Sequence, residues 1–158
     1  MVTIIPCLEV MKSVTDNNID SAPSKLRVEA FQLANELIAE ADAKILMPSQ
    51  LYDKIALRLN AEQKNAFETL YTIDKSTQAV ATYDLYRATK LVADAESKAR
   101  PIVIILGENI DSYAIPTNYK IKVVKPQEFI DKIKCIRELK KKGNMFDMRE
   151  AIVFSFLG

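Results

Sequence analysis

The chain has 158 residues, 49% of them hydrophobic, and a formal net charge of +1 from 22 basic and 21 acidic side chains. That size suits one domain with a core of its own, and the balanced charge confines any polyanion contact to a local patch. Zero histidine, 3 glycines and two distant cysteines exclude most zinc sites, Ser-His-Asp and Cys-His catalysis, and glycine-rich phosphate cradles.

Val2 to Ile5 reads as a short β-strand ended by Pro6, and Leu8 to Val14 as one or two helical turns. The run TDNNIDSAPS, Thr15 to Ser24, is the clearest loop, with Pro23 at a helix start. A long helix is expected from about Ser24 to Ala43, where Leu26, Ala30, Leu33, Ala34, Leu37, Ile38 and Ala41 form the buried stripe. Lys44 to Met47 is a second strand. The next helix, about Gln50 to Leu59, puts Leu51, Ile55 and Leu59 on one face and leaves Asp53 off it. Asn60 and Gln63 make a capping-box-like pair that starts a helix to about Tyr71. Asp74 to Thr77 reads as a break, and a helix from about Thr77 to Ala99 follows.

Ile102 to Leu106 is an apolar strand that ends abruptly in Gly107, Glu108, Asn109 and Asp111. Ile121 to Val124 is the next strand, followed by a helix from Gln127 to Lys142 that Gly143 and Asn144 end. Helices alternating with short apolar strands predict a three-layer α/β fold, a parallel sheet of about four or five strands with right-handed crossovers. The apolar tail, Ala151 to Leu157, is either a final strand or an interface segment. Both cysteines are expected to be small buried hydrophobes. No apolar run approaches the roughly 20 residues of a membrane helix, and no segment marks secretion, so a soluble cytoplasmic protein is expected.

Parallel sheets place working residues past the carboxyl ends of their strands. Asp53 in the first turns of the helix after the second strand, Glu108 just past the third with Asp111 close behind, and Asp84 within a mostly apolar helix are the acids that stand out. Gathered at one sheet edge, carboxylates hold Mg²⁺ or Mn²⁺ through oxygen, and the ion activates water for phosphodiester cleavage without histidine. Each acid also has a plain structural reading. Asp53 near a helix N-terminus gains dipole stabilisation, Glu108 with Asn109 is turn chemistry, and Asp84 can use an exposed helix side.

The order of these segments resembles a PIN domain, the Mg²⁺/Mn²⁺-dependent nuclease family of toxin endoribonucleases and RNA-processing enzymes. The resemblance runs from Val2 to about Lys134 and is best in TYDLYRATKLVADAESKARPIVIILGENIDSYA. There Asp84 matches the acid leading a helix, and Glu108 the acid just past the following strand. KILMPSQLYDKIALRL is similar to the family's strand and acid-bearing helix, with Asp53 where the family has Glu. IKVVKPQEFIDKI is similar to its closing strand and helix. The resemblance implies a metal-dependent RNA endonuclease with Asp53, Asp84 and Glu108 as metal ligands and Asp111 as a helper. The chain departs from the family at its first strand. In the segment Ile4, Ile5, Pro6, Cys7, Leu8, proline or cysteine stands where an Asp is usual, Glu9 is displaced from that site, and Asp16 and Asp20 lie in the following loop. Leu106 replaces the usual Thr or Ser. The departure implies weakened metal binding, and the alternative is an inactive PIN-like module that binds RNA or a protein. A small-molecule-binding flavodoxin-like domain is disfavoured by the missing phosphate loops.

Residues 1–158 are read as a single PIN-like domain, 1–134 being the core and 135–158 a basic helix end plus the tail. Lys132, Lys134, Arg137, Lys140, Lys141 and Lys142 crowd that helix. They either complement its dipole or contact RNA phosphates, with Lys134, Arg137, Lys140, Lys141 and Lys142 as the nucleic-acid candidates. A homodimer or protein contact through the apolar tail is the remaining partner expectation.

Overall fold

The computed structural model describes residues 2–17, 19–62, 64–65, 72–95, 102–108 and 120–157. Five strands form one sheet: β1 Val2–Pro6, β2 Ala43–Pro48, β3 Thr72–Asp74, β4 Ile102–Leu106 and β5 Lys120–Val124. Every pairing is parallel and the spatial order is β3-β2-β1-β4-β5. The helices that flank it are α1 Leu8–Asp16, α2 Ala22–Glu40, α3 Ser49–Ala56, α4 Leu85–Ala95, α5 Pro126–Lys141 and α6 Met148–Leu157. The fold class is therefore the expected α/β, consistent with a three-layer PIN-like architecture.

The central strand β1 is buried along its whole length, as a parallel strand covered on both faces must be. It pairs with β4 from Val2↔Ile102 to Pro6↔Leu106, and the Cys7 amide donates to the Leu106 carbonyl at 2.8 Å. On the other side of β4, the Gly107 amide donates to the Val124 carbonyl at 3.0 Å. The strand ends are thus held in register up to the residues that carry charge.

α2 begins where its sequence dictates. The Ser24 amide donates to Ser21 Oγ, and Pro23 occupies the first turn, where no amide is needed. Its stripe of Val28, Ala30, Phe31, Leu33, Ala34, Leu37 and Ile38 is buried, and α2 packs on α1 and α5. α5 ends at Lys141, and Gly143 takes φ +90°, the left-handed geometry that glycine supplies at a helix end.

Four expectations need correction. Asp74, expected to open a break, closes an edge strand, Thr72–Asp74, that no reading assigned; three residues are too few for a periodic signal. The expected helix from Thr77 is a turn, a 3₁₀ turn at Val80–Thr82 and then α4 from Leu85, with 96–100 outside the described residues. The tail is a helix rather than a final strand, with Phe154 79% exposed on it. Met148, Ile152 and Phe156 recur every four residues, are buried, and seat α6 against α5 and β5. Asp147 opens that helix, its Oδ1 accepting from the Arg149 amide at 2.8 Å. Cys7 is buried as expected but Cys135 is exposed. The Asn60–Gln63 helix is helical at 61–62 and 64–65, while Gln63 and 66–71 lie outside the described residues.

Phe129 of α5 stacks on Phe156 of α6 at 5.7 Å between ring centroids, and Lys132 Nζ lies 5.0 Å from the Phe156 ring. The Lys132 ammonium also donates to the Ser155 carbonyl at 2.7 Å. Phe129 is fully buried. Phe129→Ala should cost about 3–5 kcal/mol through lost packing and the cavity left behind, read as a lower urea midpoint with an unchanged m-value.

Candidate functional site at the carboxyl edge of the sheet

The topology reverses between β1 and β4, because the chain builds outward from β1 to β2 and β3 before crossing to β4 and β5. In open α/β sheets the crevice at such a reversal, outside the strands' carboxyl ends, is where ligands bind. Here that crevice is bordered by Cys7 and Glu9 after β1 and by Gly107 and Glu108 after β4. Arg27, one turn into α2, reaches across to it. Its Nε donates to Glu108 Oε1 at 2.5 Å and its Nη2 to Glu108 Oε2 at 2.8 Å, a two-point clamp with side chains 21% and 28% exposed. The Arg27 hydrogen bonds hold the Glu108 carboxyl below its ordinary range, against the opposing push of burial. Glu108 in turn raises Arg27, to which the nearby Cys7 and Glu9 add smaller electrostatic contributions. Glu9 Oε2 is buried and has no hydrogen-bond partner.

A second charged cluster sits at the end of β3. Asp74 has a side chain only 4% exposed, and its Oδ2 accepts from Arg87 Nη2 at 2.8 Å. Oδ1 accepts from the Ser76 amide at 3.0 Å and from the Ser76 hydroxyl at 2.6 Å. Arg87 also donates to Ser76 Oγ and Thr77 Oγ1. Burial pushes Asp74 upward, but the Ser76 bonds and Arg87 outweigh it, so its pKa lies below the usual carboxylate value. Tyr83, buried beside this pair, is pushed well above its ordinary pKa, first by burial and then by Asp74. Its hydroxyl has no hydrogen-bond partner.

The acids expected to share a metal have separate local roles. Asp84 caps α4: its Oδ1 accepts from the Arg87 amide at 3.2 Å, and its carbonyl accepts from the Ala88 amide at 3.0 Å. Such a cap is worth about 1 kcal/mol and accounts for an acid at this position. Asp53 is exposed on α3 and lines an open cleft of ≈ 430 Å³ with Ser49, Gln50, Lys54, Leu57, Gln78 and Ala79. Gln50 ties this cleft's walls, its amide donating to the Gln78 carbonyl at 2.9 Å while its Oε1 accepts from the Val80 amide at 2.7 Å. Glu108 is clamped by Arg27, and Asp111 lies outside the described residues. Among the described residues, no three His, Cys, Asp or Glu side chains stand together as a metal-binding group. The described carboxylates are not gathered into one Mg²⁺ or Mn²⁺ site: Glu108 is paired with a guanidinium, Asp84 caps a helix, and Asp53 lines a cleft of its own.

The basic helix end is also partly spent internally. Lys134 pairs with Glu29 at 3.3 Å, and Arg137 with Glu36 at 2.8 Å and Glu40 at 2.5 Å, all three acids on α2. Lys140, Lys141 and Lys142 are exposed and make no ion pair among the described residues. Lys140 and Lys141, with Arg137, Glu40 and Met148, line a second open cleft of ≈ 390 Å³.

Comparison with protein-family models, curated proteins and solved structures returned no match. No helix among the described residues is long and apolar enough to cross a membrane.

Sequence reasoning passed over Arg27, Asp74 and Arg87. Asp74 carried a faint signal, an acid closing the short run Thr72, Ile73. The arginines carried none, because their partners lie 81 and 13 residues away.

The clamp has a definite pH signature. A carboxylate whose folded pKa is depressed stabilises the fold above its unfolded pKa and loses that stabilisation as pH falls through the folded value. Glu108 and Asp74 are both depressed, from ordinary values of 4.5 and 3.8, so stability should fall as pH is lowered through and below the ordinary carboxylate range. Glu108→Gln should cost about 1–2 kcal/mol at neutral pH and make the acid-side fall shallower, measured by urea denaturation across that range.

Proposed function

We propose that the chain is a PIN-like binding module that does not carry out metal-dependent RNA cleavage. The observation that carries this reading is the two-point clamp of Arg27 on Glu108 at the topological reversal. A cleaving site of this class needs carboxylate oxygens open to a divalent ion and its water. Here the acid nearest the crevice has both oxygens committed to an internal guanidinium. The cap role of Asp84 and the separate cleft of Asp53 support the same reading.

The carboxyl-terminal end of α5 is the surface that best suits a partner. Met145 is 98% exposed and Leu139 45% exposed, and the Asn144 side chain folds back on the Leu139 carbonyl at 2.8 Å. Lys140, Lys141 and Lys142 lie in the same short stretch. Aliphatic side chains add nothing to a phosphate contact, whereas Met is enriched at protein interfaces. Glu29, Glu36 and Glu40 also interrupt the basic stripe that RNA would follow. This combination favours a protein partner with acidic side chains around an apolar one.

Labelled single-stranded RNA incubated with the protein and millimolar Mn²⁺ should stay intact; cleavage that EDTA abolishes overturns the non-catalytic reading. RNA binding measured by anisotropy at physiological salt should be no tighter than about 10⁻⁵ M, the level of non-specific electrostatic attraction. Tight binding lost in the triple variant K140E/K141E/K142E would transfer this surface to RNA.

A further inference from the structure

The outward face of α5 carries charges in a mirrored order. Glu128, Cys135 and Lys142 follow one another at seven-residue intervals, with Lys132 three residues before Cys135 and Glu138 three after it. Spacings of three, four and seven place these side chains along one face of a helix. The Lys142 amide still donates to the Glu138 carbonyl at 3.2 Å, so the helical phase holds as far as that residue. Cys135, Glu138 and Lys142 are exposed, while the Glu128 and Lys132 side chains are 39% and 35% exposed. The rest of the helix is already engaged. Phe129, Ile130, Ile133 and Ile136 enter the core, Lys134 and Arg137 meet the acids of α2, and Phe129 and Lys132 meet α6. Glu138 and Lys142 make no ion pair among the described residues.

We infer that this face is a homodimer contact, in which α5 lies antiparallel against α5 of a second copy with Cys135 on the two-fold axis. A two-fold contact uses the same surface on both copies, so a residue before Cys135 meets the one equally far after it. Glu128 of each copy then faces Lys142 of the other, and Lys132 of each faces Glu138 of the other. Every charge in the seam meets its opposite. A parallel pairing in the same register would set Glu128 on Glu128, Lys132 on Lys132, Glu138 on Glu138 and Lys142 on Lys142, and like charges reject it. The order of charges therefore selects both the partner, another copy of this chain, and its direction. Leu139, 45% exposed and one turn from Cys135, gives the seam an apolar part. Asp131 takes the position opposite Leu139 and is held by its own helix, Gln127 Nε2 donating to its Oδ1 at 2.9 Å. The inference rests on the reading of α5 as a protein-binding surface and names one partner for it. One pair of helices buries less than a standard interface of about 1,600 Å², so the dimer is weak, and exposed charge pairs make it salt-sensitive.

Sedimentation equilibrium at low ionic strength, carried to millimolar protein, tests this. The wild type should show a monomer–dimer equilibrium that added salt weakens. Lys142→Glu turns both Glu128–Lys142 pairs into like-charge contacts and should raise the dissociation constant about tenfold or more, as should Glu128→Lys. The double variant E128K/K142E exchanges the two charges and should regain the wild-type affinity. A short bismaleimide should join two wild-type chains through Cys135, fewer in Lys142→Glu, and none in Cys135→Ser, since Cys7 is buried. A wild type that stays monomeric overturns the inference. So does a dimer that Lys142→Glu leaves intact, or one that the double variant fails to regain. Tight RNA binding lost in K140E/K141E/K142E is a different result, and it removes the protein-binding reading itself.

Discussion

The whole arrangement depends on β1 being the central strand of a parallel sheet. Because β1 hydrogen-bonds to β2 on one side and to β4 on the other, two segments about a hundred residues apart finish side by side. Everything chemical at the carboxyl edge follows from that register. Cys7 is tied to Leu106 and Gly107 to Val124, so the segments that leave β1 and β4 start side by side. A strand buried on both faces cannot slip by one residue without turning its side chains over, so the register is firmly held.

Charge at this edge is balanced from within. Arg27 from α2 neutralises the acid after β4, and Arg87 from α4 neutralises the acid that ends β3. Both arginines come from helices that cross the sheet, and both carboxylates are held below their ordinary pKa. Such pairs have two physical effects. They tie the strand ends to the flanking helices, and they balance the carboxylates' charge from within the chain. Ion pairs this close to solvent are modest contributors to stability, since water and salt screen them.

On the opposite side of the molecule's chemistry, α2 and α5 share a ladder of opposite charges, with Glu29, Glu36 and Glu40 set against Lys134 and Arg137. This ladder turns part of an apparently basic helix into an internal contact. What remains outward is a short cationic and aliphatic end, Leu139 to Met145. The apolar tail contributes to the fold rather than to this surface: Phe156 stacks on Phe129 and carries Lys132 over its ring.

Much of the architecture was legible in the residues. Apolar runs bounded by Pro, Gly and Asn marked β1, β2, β4 and β5, and the stripe from Leu26 to Ala41 marked α2, because burial imposes a period that local sequence records. The edge strand β3 was not legible, since three residues hold no period. The tail misled because an apolar composition is shared by strands and buried helices alike, and only the spacing of Met148, Ile152 and Phe156 separates them. The candidate acids were visible as residue types in plausible places, and their placement past strand ends was read correctly for Glu108. Their partners were not visible. Helix caps, strands and buried stripes are decided by neighbours within a few residues, so the chain by itself determined them. The clamp of Arg27 on Glu108 joins side chains 81 residues apart, and no local pattern encodes such a meeting. Only the parallel pairing of β1 with β4, with α2 packed alongside, decided that a guanidinium rather than open solvent faces the acid.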